Sequence, residues 1–502
     1  MVPLVRPRIR LVTLGLLAAS GVGLLGLTSI TNAAPAFADD VTLVFGGSGL
    51  PIPSQQIVDN VTNLFVTPSP GLGDFTVENA QSAFTPEGFY PTDPLTGVKS
   101  LPAGPSEEQG LYMMNTYIDQ QVADGNNVVV FGYSQSAGIA TEEQENLATD
   151  LANKVPGTPT PDQVQFVLIG DPAGEGSSLP DTPYTTDIYA LQYDGVTQPP
   201  AYPIDGLADL NAALGFLYVH SSYPALTEAP ADQVTPVGDV LLTTLHSEAG
   251  GTINYYLIPT ENLPLLDPIR GLAVIGQPIA DLLQPDLKVL VDLGYGANNL
   301  GYVPPSLEPY PLGVFPDVNP LTVLGELATG AEQGFSAFLS DLPAVPGNLV
   351  AFLEAAPSEI IDGLTHLNQV NYITILSSIL GPGAELVLQG EYQPVADLAP
   401  LLPVPTGPAA PLVDFINAVT SAVSFDYATL LPTADNLVTV AELPLLDAGV
   451  FAQYLGQGNI VDALGLPVAL DTGELVQLLA TEVFVLGNAV VHTIGDFTAL
   501  IP

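Results

Sequence analysis

Residues 126–154, NNVVVFGYSQSAGIATEEQENLATDLANK, constrain the fold more than any other part of the chain. The apolar run Val128–Phe131 has the length and composition of a strand covered on both faces, and the stretch from Ala137 onward has helical spacing. Only Gly132-Tyr133-Ser134-Gln135-Ser136 stands between them, so the turn joining strand to helix must be sharp. A covered strand passing directly into a helix is the unit from which a parallel α/β sheet is built.

A serine at such a turn has a chemical reading. Its hydroxyl is a weak nucleophile that must be held exposed, near a base, with a helix N-terminus favouring developing negative charge. Small residues two places either side let the turn pack; here they are Gly132 and Ser136, a relaxed form of G-x-S-x-G. Ser134 is therefore the candidate nucleophile. The plainer alternative is a strand-to-helix turn with a capping serine.

Other segments extend the α/β pattern. VTLVFGGSG, from Val41, reads as a buried strand closed by a Gly46-Gly47-Ser48 turn, and FTVENAQSAF offers a second strand. Ser106-Glu107-Glu108-Gln109 fits a capping box opening a helix that runs to Gly125. VQFVLIGDPAGEG reads as a strand ending at Asp171, and TTDIYALQYDG as a strand ending at Asp194.

Where a nucleophilic serine sits on this kind of turn, the acid follows it in sequence and the histidine comes last. Asp194 is preferred to Asp171 because it lies one strand further on, and Asp171-Pro172 also reads as a turn. His220 follows Asp194 in LNAALGFLYVHSSYP, and His246 lies in the polar, Gly-rich TTLHSEAGG. The residues alone put His220 only slightly ahead. His366 and His492 fall in helix-like segments where a lone histidine is more often structural. The backbone N–H of Gln135 is the expected first oxyanion donor, with Gly47 and Ser48 supplying the second from the loop after the first strand.

Composition excludes several classes. With 53 acidic and 7 basic residues the formal charge is −46, and Arg6, Arg8 and Arg10 are three of the seven. Nucleic-acid binding needs clustered cations, so no nucleic-acid partner is expected. No cysteine is present, which removes disulfides, thiol nucleophiles and thiolate metal sites. The four histidines show no metal-ligand spacing, and no cofactor or metal is called for.

The N-terminus reads as an export signal: basic MVPLVRPRIR, an apolar run, then a small-residue site at Ala36-Phe37-Ala38 with cleavage before Asp39. The competing reading is an uncleaved membrane anchor. From about residue 300, apolar helical stretches such as PLTVLGELATGAEQGFSAFLSDL, PLVDFINAVTSAVSF and ELVQLLATEVFVLGNAVVHTIGDF alternate with Pro/Gly-rich segments, among them PLLPVPTGPAAPL. They carry no second catalytic constellation. Covering the hydrolase domain or shaping an acyl groove is the plainer expectation; peripheral membrane or envelope association is the other.

Together, the GGSG turn, GYSQS, VLIGDPAG, LQYDG, LNAALGFLYVHSSYP and YYLIPTENLPLLDPIRGL, over about residues 41–275, resemble the PE-PPE domain family. These are serine α/β-hydrolases of the mycobacterial envelope, similar to cutinases. DLGYG and GVFPDVNPLTVL further on also resemble it. The resemblance implies a cutinase-like α/β-hydrolase fold, a central parallel sheet flanked by helices, with a mainly helical, loop-rich C-terminal region. It implies action on acyl esters with Ser134, Asp194 and His220 as triad, His220 being chosen by its V-H-x-x-Y setting. The chain departs from the family in having a signal-like start instead of a helical PE or PPE region, and it lacks the cysteines of true cutinases.

The expected organisation is a signal peptide over 1–38, a hydrolase domain over 39–300 and a helical accessory region over 301–502. The leading expectation is an exported, secreted or envelope-associated esterase for medium- or long-chain acyl esters. An acyltransferase working on trehalose or another envelope lipid is the second, and an inactive surface protein on a hydrolase scaffold the third.

Overall fold

The computed structural model describes residues 40–498, apart from 70–74, 91–99, 173–178, 227–233, 236–237, 240, 273–274, 297–300, 309–312 and 346–409. The N-terminal segment read above as an export signal and His366 lie outside these residues.

Strands β1 (Asp40–Val44), β2 (Ala80–Ser82), β3 (Asn127–Tyr133), β4 (Val164–Ile169), β5 (Thr186–Leu191), β8 (Leu241–His246) and β9 (Thr252–Ile258) form a seven-stranded sheet. Its order is β2-β1-β3-β4-β5-β9-β8. All neighbours pair in parallel except β8, which runs antiparallel to β9 at the edge. A two-stranded ribbon, β6 (Val234–Thr235) and β7 (Gly238–Asp239), stands apart from it. The helices are α1 (Gln55–Val61), α2 (Ala103–Ala123), α3 (Gln135–Ala152), α4 (Gly206–Tyr218), α5 (Asp267–Arg270), α6 (Gly276–Leu293), α7 (Pro320–Asp341), α8 (Ala410–Gly456) and α9 (Ile460–Thr498).

The sheet has an apolar core on each face, which is why its strands read as unbroken apolar runs. On β3, Val128 and Val130 join one core with Met114 and Ile118 of α2 and Ile139, Ala140 and Leu147 of α3. Val129, Phe131 and Tyr133 point to the other, with Ile57, Val58 and Val61 of α1 and Phe65 just beyond it. This is an α/β-hydrolase sheet, with a helical region following it. After β1 the chain adds β2 on one side, and β3 then pairs on the other, so the ends of β1 and β3 meet at a topological switch point, where open α/β sheets place their ligands.

Several local expectations are corrected. Helix α2 begins at Ala103, ahead of the Ser106 capping box. Pro105 is tolerated there because a first-turn N–H has no intrahelical acceptor in any case. Ser106 is instead fully buried inside the helix. Strand β5 stops at Leu191, so Asp194 lies in the turn beyond it. His246 is the last residue of edge strand β8 and pairs with Thr252; it does not lie in a loop. PLTVLGELATGAEQGFSAFLSDL forms α7 as expected, but the two later stretches lie within long helices, with Pro432 and Pro444 inside α8 and Pro467 inside α9, and PLLPVPTGPAAPL is already helical from Ala410.

Helices α8 and α9 pair along their length. Thr433 and Asn436 donate to the Glu482 carboxylate at 2.7 and 2.9 Å, and Thr493 donates to Asp426 at 3.0 Å. Asp435 of α8 accepts from the Tyr90 hydroxyl at 2.7 Å, tying this pair to the loop before α2. Within α9, Ile460–Gly487 (mean hydropathy 1.3) is long and apolar enough to cross a membrane, judged by length and composition alone.

Candidate active site

Ser134 caps the N-terminus of α3 with φ 57° and ψ −118°, a conformation that costs a non-glycine residue about 1–3 kcal/mol and occurs mainly at functional sites. The surrounding turn holds it there. Ser134 N–H donates to Ile169 O at 3.0 Å, binding the turn to the end of β4. The buried Ser136 hydroxyl accepts from Tyr133 N–H at 2.9 Å and donates to Tyr133 O at 3.2 Å. Serine in place of the commoner glycine at this position thus supplies two bonds inside the elbow.

The structure brings Ser134, His220 and Asp194 into one line. Ser134 Oγ lies 2.8 Å from His220 Nε2, and His220 Nδ1 lies 3.0 and 2.9 Å from the two Asp194 oxygens. Asp194 is fully buried. Its Oδ1 also accepts from Val196 N–H at 2.9 Å, and its Oδ2 from the Tyr223 hydroxyl at 2.8 Å. A carboxylate gripped this way holds the imidazole with its Nδ1 proton inward and leaves Nε2 basic toward the serine. Asp171 sits elsewhere, accepting from Thr141 of α3 at 2.9 Å.

Aromatic side chains fix the imidazole plane. Tyr133 and Phe216 stack on the His220 ring with centroids 5.6 and 5.7 Å away, and Tyr223 meets it edge-on at 6.0 Å. Tyr133 also donates to His220 O at 2.9 Å. Burial, reinforced by the Asp194 charge, pushes both the Tyr133 and Tyr223 phenols well above the ordinary tyrosine range, so both stay protonated donors. Tyr133 and Phe216 were not singled out from the sequence. Only the V-H-x-x-Y setting pointed to Tyr223.

The oxyanion candidates lie around the same serine. Gln135 is the first residue of α3, so its backbone N–H has no intrahelical acceptor and sits at the positive end of the helix dipole. A Cβ on Gly47 would come within 2.9 Å of Ser134 Cβ, so only glycine lets the loop after β1 close over the nucleophile. The Gln135 side chain fastens this loop: Nε2 donates to Gly88 O at 2.8 Å and to Ser48 Oγ at 3.3 Å. Ser106 Oγ donates to Gln135 Oε1 at 2.8 Å while accepting from Gly88 N–H at 2.8 Å. With one lone pair engaged by Gln135, the Ser48 hydroxyl keeps its own proton for another acceptor. Ser106, expected as a cap, is thus a buried pin between Gly88 and the Gln135 side chain.

Among the described residues no group of three or more His, Asp or Glu side chains could hold a metal ion. The arrangement offers an oriented serine, a base held by a carboxylate, and backbone donors at a helix N-terminus. That set is suited to acyl transfer through a covalent intermediate.

Comparison with known proteins agrees with this chemistry. The family model of the PE-PPE domain matches residues 76–180 and 174–296. An uncharacterised PPE family protein of Mycobacterium tuberculosis, PPE28, is 32% identical over 506 residues, covering 95% of this chain and 70% of that protein. The esterase PE16 of the same organism is 34% identical over 296 residues, covering 55% of this chain and 52% of its own. The diacyltrehalose acyltransferase Chp2, also from that organism, is 29% identical over 261 residues, covering 44% of this chain and 68% of that protein.

Proposed function

The chain belongs to the PE-PPE domain family, and on that premise we propose that it is an exported serine esterase acting on medium- to long-chain acyl esters. The observation that carries this reading is the 2.8 Å approach of Ser134 Oγ to His220 Nε2, with both Asp194 oxygens on the other ring nitrogen. Ser134 Oγ attacks the acyl carbonyl and passes its proton to His220 Nε2. Asp194 steadies the imidazolium, and the Gln135 N–H with the Gly47–Ser48 loop receives the oxyanion. Collapse expels the alcohol, which takes the proton from His220. Water, activated by the same base, then attacks the acyl-serine and releases the acid.

A second reading differs only in the last step, where the hydroxyl of a sugar or lipid replaces water. The likeness to the acyltransferase Chp2 favours it. Purified protein from Asp39 onward, given a dodecanoyl ester with and without a polyol such as trehalose, separates the two. Free acid as the sole product supports the esterase; an acylated polyol formed at the expense of acid supports the transferase. No turnover of any ester, by protein that melts cooperatively, overturns both.

Export is supported by the basic, apolar and small-residue order of the first 38 residues. Sequencing the N-terminus of protein recovered from culture medium or envelope tests it. A start at Asp39 is expected, and an intact Met1 in the cytosol speaks against export.

A further inference from the structure

A cavity of about 560 Å³ opens beside the catalytic line, within the usual size range of small-molecule sites. Its lining includes direct neighbours of the catalytic residues. Phe216, which stacks on His220, is one wall, and Gly195 and Val196 directly follow Asp194. Phe89 also lines it, next to Gly88, whose carbonyl accepts from the Gln135 side chain. The far wall comes from the C-terminal region: Leu470, Gly473, Gln477 and Ala480, all on α9.

From these residues we infer that the cavity receives the alkyl part of the acyl group carried by Ser134, and that α9 is one wall of the acyl site and not only a cover. The inference rests on the reading of Ser134 as acyl carrier and deepens it. Five of the lining residues are prolines (Pro199, Pro200, Pro203, Pro304 and Pro305), which have no backbone N–H to offer a polar ligand. Val196, Ala212, Ala213, Phe216, Val303 and Leu470 add apolar surface. The lining carries the carboxyl groups of Asp209, Glu308 and Glu474 and no cationic side chain, so a phosphate or a free carboxylate finds no counter-charge in this space. An uncharged hydrocarbon chain, bound as its ester, meets both conditions.

The test narrows the cavity from two independent sides. Ala480→Trp fills it from α9, and Ala213→Phe fills it from α4. The readout is the ratio of kcat/KM for dodecanoyl against butanoyl p-nitrophenyl esters. Each buried methylene is worth about fourfold, so displacing two or three of them lowers the ratio about 15- to 60-fold. Leu479→Gln, on the exposed side of α9 and off the lining, leaves the ratio unchanged. A ratio unaltered in both filled variants overturns the inference. Reaction with a small fluorophosphonate shows whether Ser134 is reactive in each preparation. If the wild type does not react at all, the esterase reading fails, and the cavity is then judged by equilibrium binding of a fluorescent dodecyl probe. Weaker binding in Ala480→Trp supports the acyl wall, and equal binding in wild type and both filled variants rejects it.

Discussion

A Cβ on Gly170 would lie 2.7 Å from His220 Cε1, and Gly170 itself has φ +61°. The residue just after β4 therefore sets how closely the base approaches the sheet. Gly170→Ala meets both a strained backbone and a clash with the imidazole. Because misplacing a catalytic group by about 1 Å can cost about 10²-fold, a loss of that order in kcat/KM is expected. Comparing esterase kinetics with the melting temperature checks it: the rate should fall far more than stability can explain.

Tyr223 serves two buried partners. Its hydroxyl accepts from Leu191 N–H at 2.8 Å and donates to Asp194 at 2.8 Å. Tyr223→Phe strands the Leu191 N–H and removes one of the bonds orienting the carboxylate. Denaturant unfolding should show a loss of about 1–3 kcal/mol, the usual penalty for an unsatisfied buried group. A roughly tenfold drop in kcat should accompany it as the base loses its alignment.

Ser106 acts on the chemistry only through Gln135 and Gly88. Ser106→Ala leaves Gly88 N–H and Gln135 Oε1 without their shared partner. Direct loss of an oxyanion donor costs about 10²–10³ in kcat; loosening the loop that holds one should cost less, about tenfold. The fall should be in kcat with KM little changed, and it should persist when active enzyme is counted by fluorophosphonate titration, a correction that removes any loss of folded protein.

Asp209 supplies a pH-dependent term. Burial, then the nearby Asp205 charge, raises its carboxyl to about 7, above an unfolded value near 3.9. The folded state therefore holds the proton over a window where the unfolded chain has lost it. The contribution of Asp209 to stability is greatest below about pH 4, falls as pH rises from about 4 to 7, and changes no further above that. Asp209→Asn, neutral at every pH, should melt higher than wild type at pH 8, and the gap should close toward pH 4.

The legible parts of the sequence were those written locally. The run Val128–Phe131, the Gly132–Ser136 turn and the helix behind it are contiguous, and each element appears where its pattern placed it. The order serine, aspartate, histidine, with the family resemblance choosing His220 over His246, also pointed to three residues that the structure brings within hydrogen-bonding distance. Features set by distant packing were not readable. Nothing around Ser106 indicates that Gln135, 29 residues later, will take its hydroxyl, so a local capping pattern won. His246 lies in a polar stretch, and only pairing with β9 makes it a strand residue. Helical stretches were expected to alternate with Pro/Gly-rich segments, yet α8 and α9 run on through Pro432, Pro444 and Pro467. Gly170 looked like any glycine before a turn, because its role depends on a ring 50 positions away.

The most direct measurement is reaction of the protein from Asp39 onward with a fluorophosphonate, the adduct being located by peptide mass spectrometry. One equivalent on Ser134, none in Ser134→Ala, and a rate lowered at least 10³-fold in His220→Ala are the results expected of an activated serine. A folded wild-type protein that does not react, or an adduct on another residue that survives Ser134→Ala, would contradict the assignment of Ser134 as the nucleophile.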